Sequence, residues 1–352
     1  MVQASRAARK PPRAVIDEHG PPSQSRHTLH FGPVANEPLE RLAVTIRRKS
    51  ALPRCALLAV ATAFAAVLTV PAAGQEPPLL VLSPKAKSGG WTGVHRPHTK
   101  LRDVLARHEG RADWAETVVD DESLFAQWVS MSPGQKTPQR MNGDTREWWI
   151  VQSGTLKFTV EGREPVVATK GFMVQVPYRT LYQIENVGDE PALRFEVNVT
   201  RARKLYPLDE TPAPLPGFDY VPTRVTGGRG TLDAANRPVL DFNKVVAGEE
   251  RGGPFVSDDR SFANIIIGNY QAPQPGNKGH FHEEGSEFWL VMLGKIRYNI
   301  EGLPEFEAEA GDVVYVPRQT WHLASFGGSE RLRSCRLAMN GFPYQAHMFE
   351  TD

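Results

Sequence analysis

The chain has 352 residues and a formal net charge of +1, with 23% charged and 40% hydrophobic residues, 30 Gly and 29 Pro. This composition excludes a wholly disordered chain, a coiled coil and a polytopic membrane protein, and its many turn residues favour short strands in about two domains. The charge is uneven: residues 1–54 carry ten basic and four acidic side chains, and beyond them 31 basic face 36 acidic ones. That body lacks the basic footprint that phosphate-backbone binding demands, so no nucleic-acid partner is expected.

In chain order, residues 1–43 are rich in Pro, Arg, Ser and His and show no hydrophobic period. They are expected to be an unstructured extension, with translation truly beginning near Val44. Residues 44–74 read as a signal peptide. Arg47, Arg48, Lys49 and Arg54 precede the uncharged run Ala56–Val70, and Pro71-Ala72-Ala73-Gly74 follows it. A positive lead, a short apolar run and small residues are the three parts of a cleaved secretory signal. The run is shorter than the roughly 20 residues a membrane span needs, and an uncleaved anchor is the alternative. The expected location is therefore periplasmic or secreted, with no membrane attachment after cleavage. Cys55 lies in the signal and leaves Cys335 alone in the body, so no intrachain disulfide is expected.

A short helix is expected over Arg102–Asp113. The decisive feature is an internal repeat. Glu147–Tyr182 and Glu287–His322 align with a constant offset of 140 and no gap, and 12 of 36 positions are identical. Gly154/Gly294, Gly162/Gly302, Gly171/Gly311 and Pro177/Pro317 are among them, so the turns recur in register and the fold is duplicated. Each copy reads as short strands: in the second, Phe288–Leu293 and Lys295–Ile300 flank Gly294, and Val313–Val316 lies between Gly311-Asp312 and Pro317. The class is all-β, with tandem antiparallel barrels or jelly rolls after the signal. The expected domains are 90–205 and 239–348, joined by a Pro/Gly-rich linker over 206–238.

Chemistry concentrates in the second copy. His280 and His282 are two apart, which on a strand points both imidazoles to one face. Glu287 follows five residues after His282, and His322 ends the matched block. Three imidazoles and a carboxylate suit one divalent transition metal and leave positions open on an octahedral ion. In the first copy the same positions hold Arg140, Asn142, Glu147 and Tyr182. An Arg there repels a cation, so that barrel is expected to be metal-free.

These residues resemble the cupin family. Its first motif corresponds to Gly276-Asn277-Lys278-Gly279-His280-Phe281-His282, four residues, Glu287, six residues and Gly294. Its second corresponds to Gly311, five residues, Pro317-Arg318-Gln319, two residues and His322, with Gln319 where Gly is usual. The resemblance implies two tandem cupin jelly-roll β-barrels, a bicupin, with His280, His282, Glu287 and His322 as metal ligands. Mn or Fe is expected first, and Cu, Ni, Co and Zn are also admitted by the donor set.

Among relatives by motif spacing are oxalate decarboxylases, quercetin- and gentisate-type dioxygenases and germin-like oxidases. Asn277, three residues ahead of His280, is similar to the germin-like pattern and differs from the Arg of the decarboxylases. The resemblance thus implies an oxidoreductase of dioxygenase or oxidase type, taking a small organic acid or phenol with O2, and the signal segment makes it a secreted one. Asn277 would hydrogen-bond substrate or O2, and Arg297 or Arg336 would clamp an anionic group. An oxalate decarboxylase-like lyase and a non-catalytic metal-containing binding module are the alternatives. A homo-oligomer is compatible with all three.

Overall fold

Alternating burial on two-sided strands organises the molecule. The computed structural model describes residues 79–82, 90–213, 216–217, 219–272, 278–329, 331–341 and 347–349; the expected extension, the signal segment and Asn277 lie outside the described residues. The first half contains β1 (His98–Thr99), β2 (Trp114–Asp120), β3 (Leu124–Met131), β4 (Met141–Asn142), β5 (Glu147–Ser153), β6 (Leu156–Val160), β7 (Val166–Ala168), β8 (Phe172–Val176), β9 (Tyr182–Asn186), β10 (Ala192–Val199) and β11 (Lys204–Leu205). The second contains β12 (Val239–Asp241), β13 (Gly253–Ser257), β14 (Phe262–Asn269), β15 (Glu287–Leu293), β16 (Lys295–Ile300), β17 (Phe306–Glu309), β18 (Val313–Val316), β19 (His322–Phe326) and β20 (Arg333–Asn340). Among the described residues, two α-helices, α1 (Leu101–Arg107) and α2 (Phe242–Ala247), each precede a barrel. Helix α1 is shorter than the sequence suggested, because the chain turns at Gly110, whose φ is +75°.

Each half is a jelly-roll barrel made of two sheets. The first has the order β12-β8-β5-β10-β3-β2 facing β7-β6-β9, and the second β1-β18-β15-β20-β14-β13 facing β17-β16-β19. Alternation along β5 and β15 explains why both read as near-continuous apolar runs. Trp149 and Val151 point into the first barrel and Trp289 and Val291 into the second, while Trp148, Ile150, Phe288 and Leu290 point the other way, into a core that both barrels share. A strand buried on both faces has no polar side to show.

The halves also exchange edge strands. β1, which precedes the first barrel, pairs antiparallel with β18, and β12 pairs with β8 of the first barrel. His98 on β1 lies 2.6 Å from Asp312 Oδ2, and Asp312 Oδ1 accepts the backbone N–H of Leu101 at the start of α1. Burial alone would raise the Asp312 carboxyl, but hydrogen bonds from His98 and from the N–H groups of Glu309 and Leu101 hold it below its ordinary value.

Gly154 and Gly294, a recurring pair, are steric requirements. At Gly294 φ is +68° and an added Cβ would lie 2.3 Å from Ser334 Oγ; at Gly154 φ is +77° and it would lie 2.6 Å from the Ala192 Cα. In both copies the tight turn presses against the final strand of its barrel, and only glycine fits.

Candidate metal centre

The loop before β15 carries His280 and His282 and is held by β19: His280 N–H donates to the His322 carbonyl at 2.9 Å, and His322 N–H returns the bond to the His280 carbonyl at 2.8 Å. Extended backbone at this bridge sets His280 and His282 on one face, with ring centroids 5.0 Å apart, and turns Phe281 between them the other way. Gly279 must be glycine, since φ is +61° and a Cβ would lie 2.6 Å from the His322 carbonyl oxygen. Glu287 opens β15 and His322 opens β19, so both project at the same end of the barrel interior.

One donor atom from each of His280, His282, Glu287 and His322 lies within 4.8 Å of all the others. Glu287 Oε2 is 3.1 Å from His282 Nε2 and 3.3 Å from His322 Nε2. His322 Nδ1 lies 3.0 Å from the Thr320 carbonyl. A carbonyl can only accept, so Nδ1 carries the proton and Nε2 presents its lone pair to the cluster. The Trp289 indole meets the His322 ring edge-on at 5.3 Å and limits its rotation.

The electrostatics fit a cation. Burial, reinforced by the neighbouring imidazoles, pushes His280 down to about 3 against the pull of Glu287, so its ring is neutral at ordinary pH. Burial opposes ionisation of Glu287, yet the hydrogen bond from His282 and the closeness of the His322 ring outweigh it and hold the carboxyl well below the carboxylate range. His280 Nε2 and His322 Nε2 are buried with no hydrogen-bond partner. Buried polar atoms are nearly always paired, and neutral imidazole lone pairs converging on a carboxylate are what a divalent ion would satisfy.

A fourth histidine stands at the site. His347 stacks on His280 at 4.1 Å with 16° between the rings, and Phe349 meets His280 edge-on at 6.0 Å. The segment is tied down by reciprocal 3.0 Å bonds between the Phe281 and Met348 backbones. No spacing in the sequence connects His347 with the motif; only its rarity as a residue type could have drawn notice to it.

Of the two candidate arginines, Arg336 points into the second barrel, where its guanidinium lies 5.5 Å from the Phe326 ring centroid. Arg297 does not: Ile296 and Tyr298 take the interior positions of β16, and Arg297 on the opposite face donates to the Gln271 carbonyl at 2.8 Å. A one-residue step along a strand reverses the side chain, so Arg297 cannot clamp a ligand inside the barrel. Gln319 adopts φ +63°, the left-handed conformation of the glycine it replaces, and Arg179 does the same in the first copy. Gln319 N–H donates to the His282 carbonyl at 2.6 Å and its side chain to Glu283 at 2.8 Å.

In the first barrel the corresponding position is filled from within. Glu147 accepts from Asn142 at 2.9 Å, from the Tyr182 hydroxyl and from Lys204 Nζ, while Arg140 Nε donates to the Tyr182 hydroxyl at 3.0 Å. Lys204 arrives on β11, which pairs with β4, and its ammonium takes the place of an ion. Among the described residues, the only cluster with metal-ligand geometry is the one in the second barrel.

Comparison with known proteins agrees with this architecture. The family model described as "Cupin domain" matches residues 127–198 and 270–334, once in each half. A salicylate 1,2-dioxygenase structure from Pseudoaminobacter salicylatoxidans is 12% identical, with a TM-score of 0.50 over 74% of this chain and 83% of that one. An oxalate decarboxylase from B. subtilis is 17% identical, with a TM-score of 0.44 over 73% of this chain and 80% of that one. A Vibrio cholerae protein provisionally named a mannose-1-phosphate guanylyltransferase is 35% identical over 69 residues, 20% of this chain and 15% of that protein. The chain thus spans a small part of that relative's length, and the likeness is confined to a single segment.

Proposed function

The chain belongs to the cupin family, with one cupin domain in each half, and we propose that it is an exported, metal-dependent oxidoreductase of dioxygenase or oxidase type acting on a small organic acid or phenol. The observation that carries the reading is the buried His280–His282–Glu287–His322 cluster with unpartnered imidazole nitrogens. A divalent Mn or Fe ion there would supply Lewis acidity and an electron relay between an organic molecule and O2. The residues of the chain do the rest. Thr320 and Trp289 fix the His322 tautomer and ring plane. Glu287, held ionised, contributes the one negative charge, so a divalent ion keeps a net positive charge towards an anionic ligand. His347 and Phe349 wall one side of the cluster. Three protein imidazoles and one carboxylate leave open coordination positions on an octahedral ion, the arrangement that turnover requires and that a purely structural site lacks. Export rests on the basic, apolar and small-residue series over residues 44–74.

The test is elemental analysis of the protein purified from its native compartment, followed by oxygen uptake with salicylate, gentisate, catechol and oxalate. One metal equivalent and O2 consumption with at least one of these are expected. Turnover of oxalate without O2 consumption would establish a lyase instead. Absence of bound metal would overturn the proposal.

A further inference from the structure

The interior of the second barrel contains donors that its own chain leaves unused. Arg336 on β20 stands opposite Val291 and Ile266, whose side chains line that interior. Its Nε and Nη1 are buried without a hydrogen-bond partner, and so is the hydroxyl of the fully buried Tyr298. Buried, unpaired guanidinium N–H groups are costly and in a native protein point to something that completes them.

The first barrel shows what that is. Pairing register makes Arg194 the counterpart of Arg336, since each lies opposite the repeat-matched Val151 or Val291. Two residues on, Glu196 lies opposite Trp149 and Gln127, whereas Ala338 lies opposite Trp289 and Asn264. The Glu196 carboxylate receives bonds from Arg194 Nη2 at 3.0 Å, Arg194 Nε at 3.3 Å, Trp149 Nε1 at 2.9 Å and Gln127 Nε2 at 3.1 Å. It also lies 3.9 Å from Arg140, which occupies the repeat position of His280. The second barrel therefore retains the arginine, the tryptophan and a side-chain amide around this position. It adds a hydroxyl, because Tyr298 replaces Phe158, and it has lost only the carboxylate, at Ala338.

We infer that the second barrel binds a small carboxylic acid, whose carboxylate takes the place beside Ala338 that the Glu196 side chain fills in the first barrel, held by Arg336, Trp289 and Asn264. This rests on the proposed function and narrows its substrate class to acids. The carboxylate would lie below the His/Glu cluster, as Glu196 lies within reach of Arg140, so the remainder of the acid extends towards the metal position. A guanidinium with two unpartnered nitrogens suits a carboxylate better than a neutral phenol.

The test uses the full chain, loaded with Mn and checked by elemental analysis. Calorimetric titration with acetate, oxalate and benzoate is compared with acetamide, oxamide and benzamide. At least one acid should bind at least about tenfold more tightly than its amide. Ala338→Glu, which recreates the carboxylate of the first barrel, should abolish that binding with metal content unchanged and should raise the melting temperature. Arg336→Met should weaken acid binding at least about tenfold while metal content is retained, which keeps the test decisive if Ala338→Glu does not fold. Failure of all three acids to bind the native protein, or binding unaffected in both variants, would overturn the inference. Acid binding that responds to both variants without any O2 uptake supports the inference and defeats only the oxidoreductase reading. O2 uptake with catechol and no acid binding defeats only the inference.

Discussion

Replacing Lys204 by Met tests whether an internal cation substitutes for a metal ion in the first barrel. Glu147 is fully buried and its Oε2 accepts from three groups, of which Lys204 alone is charged, while Oε1 has no partner. Removing one partner of a buried ion pair costs about 3–5 kcal/mol. Here the Lys204 side chain is 20% exposed, so water can partly replace it, and Asn142 and Tyr182 remain as donors. These features bring the loss below that range, to about 2–3 kcal/mol. Glu147→Gln in the Lys204→Met background removes the stranded charge, so the two changes should couple by about 1–3 kcal/mol. Urea unfolding of the single and double variants at unchanged m-value reads both numbers. A Lys204→Met loss below about 0.5 kcal/mol, the scale of an ordinary surface substitution, would refute the internal-cation account.

Four further outcomes are expected. Elemental analysis should find one metal equivalent per chain, and His282→Ala should weaken metal binding by more than the 10- to 100-fold typical of residues that only support ligands; equilibrium dialysis checks this. His347→Ala should leave that one equivalent in place but speed its extraction by a chelator, because the ring that stacks on His280 is gone. The depressed Asp312 carboxyl binds fewer protons in the folded protein than in the unfolded chain, so its contribution is present above the unfolded value of about 4 and is lost as the pH falls through the lower folded value. His98→Phe should make acid unfolding below about pH 4 shallower, as followed by circular dichroism. Gly294→Ala should cost more than Gly302→Ala, since both have positive φ but only at Gly294 would a Cβ collide, with Ser334; thermal unfolding compares the two.

Several of the structural features were legible in the chain because they are local. The repeat at offset 140 carried the turns, since a glycine at positive φ and a proline report backbone geometry within a few residues. The His280–His282 spacing reported a shared face because side chains on extended backbone alternate with period two. Glu287 and His322 followed from the same periodicity once the turns were in register. The strands Lys295–Ile300 and Val313–Val316 stand where their flanking turn residues placed them.

The remaining features depend on residues far apart in sequence. His347 reaches His280 only because the Phe281–Met348 bridge returns the end of the chain to the mouth of the second barrel. Lys204 meets Glu147 only because β11 folds back on β4. The exchange of β1 and β12 between the halves leaves no local trace, since a two- or three-residue edge strand has no period to read. Arg297 and Arg336 look alike as residues; the parity of their positions on β16 and β20 sends one to the outer face and the other inside. The sequence by itself determined the duplicated barrel and the four donors of the second copy, because turn chemistry and strand alternation act over a few residues. Tertiary structure alone decided which charges those barrels enclose, because a buried charge is settled by the partner that packing brings to it.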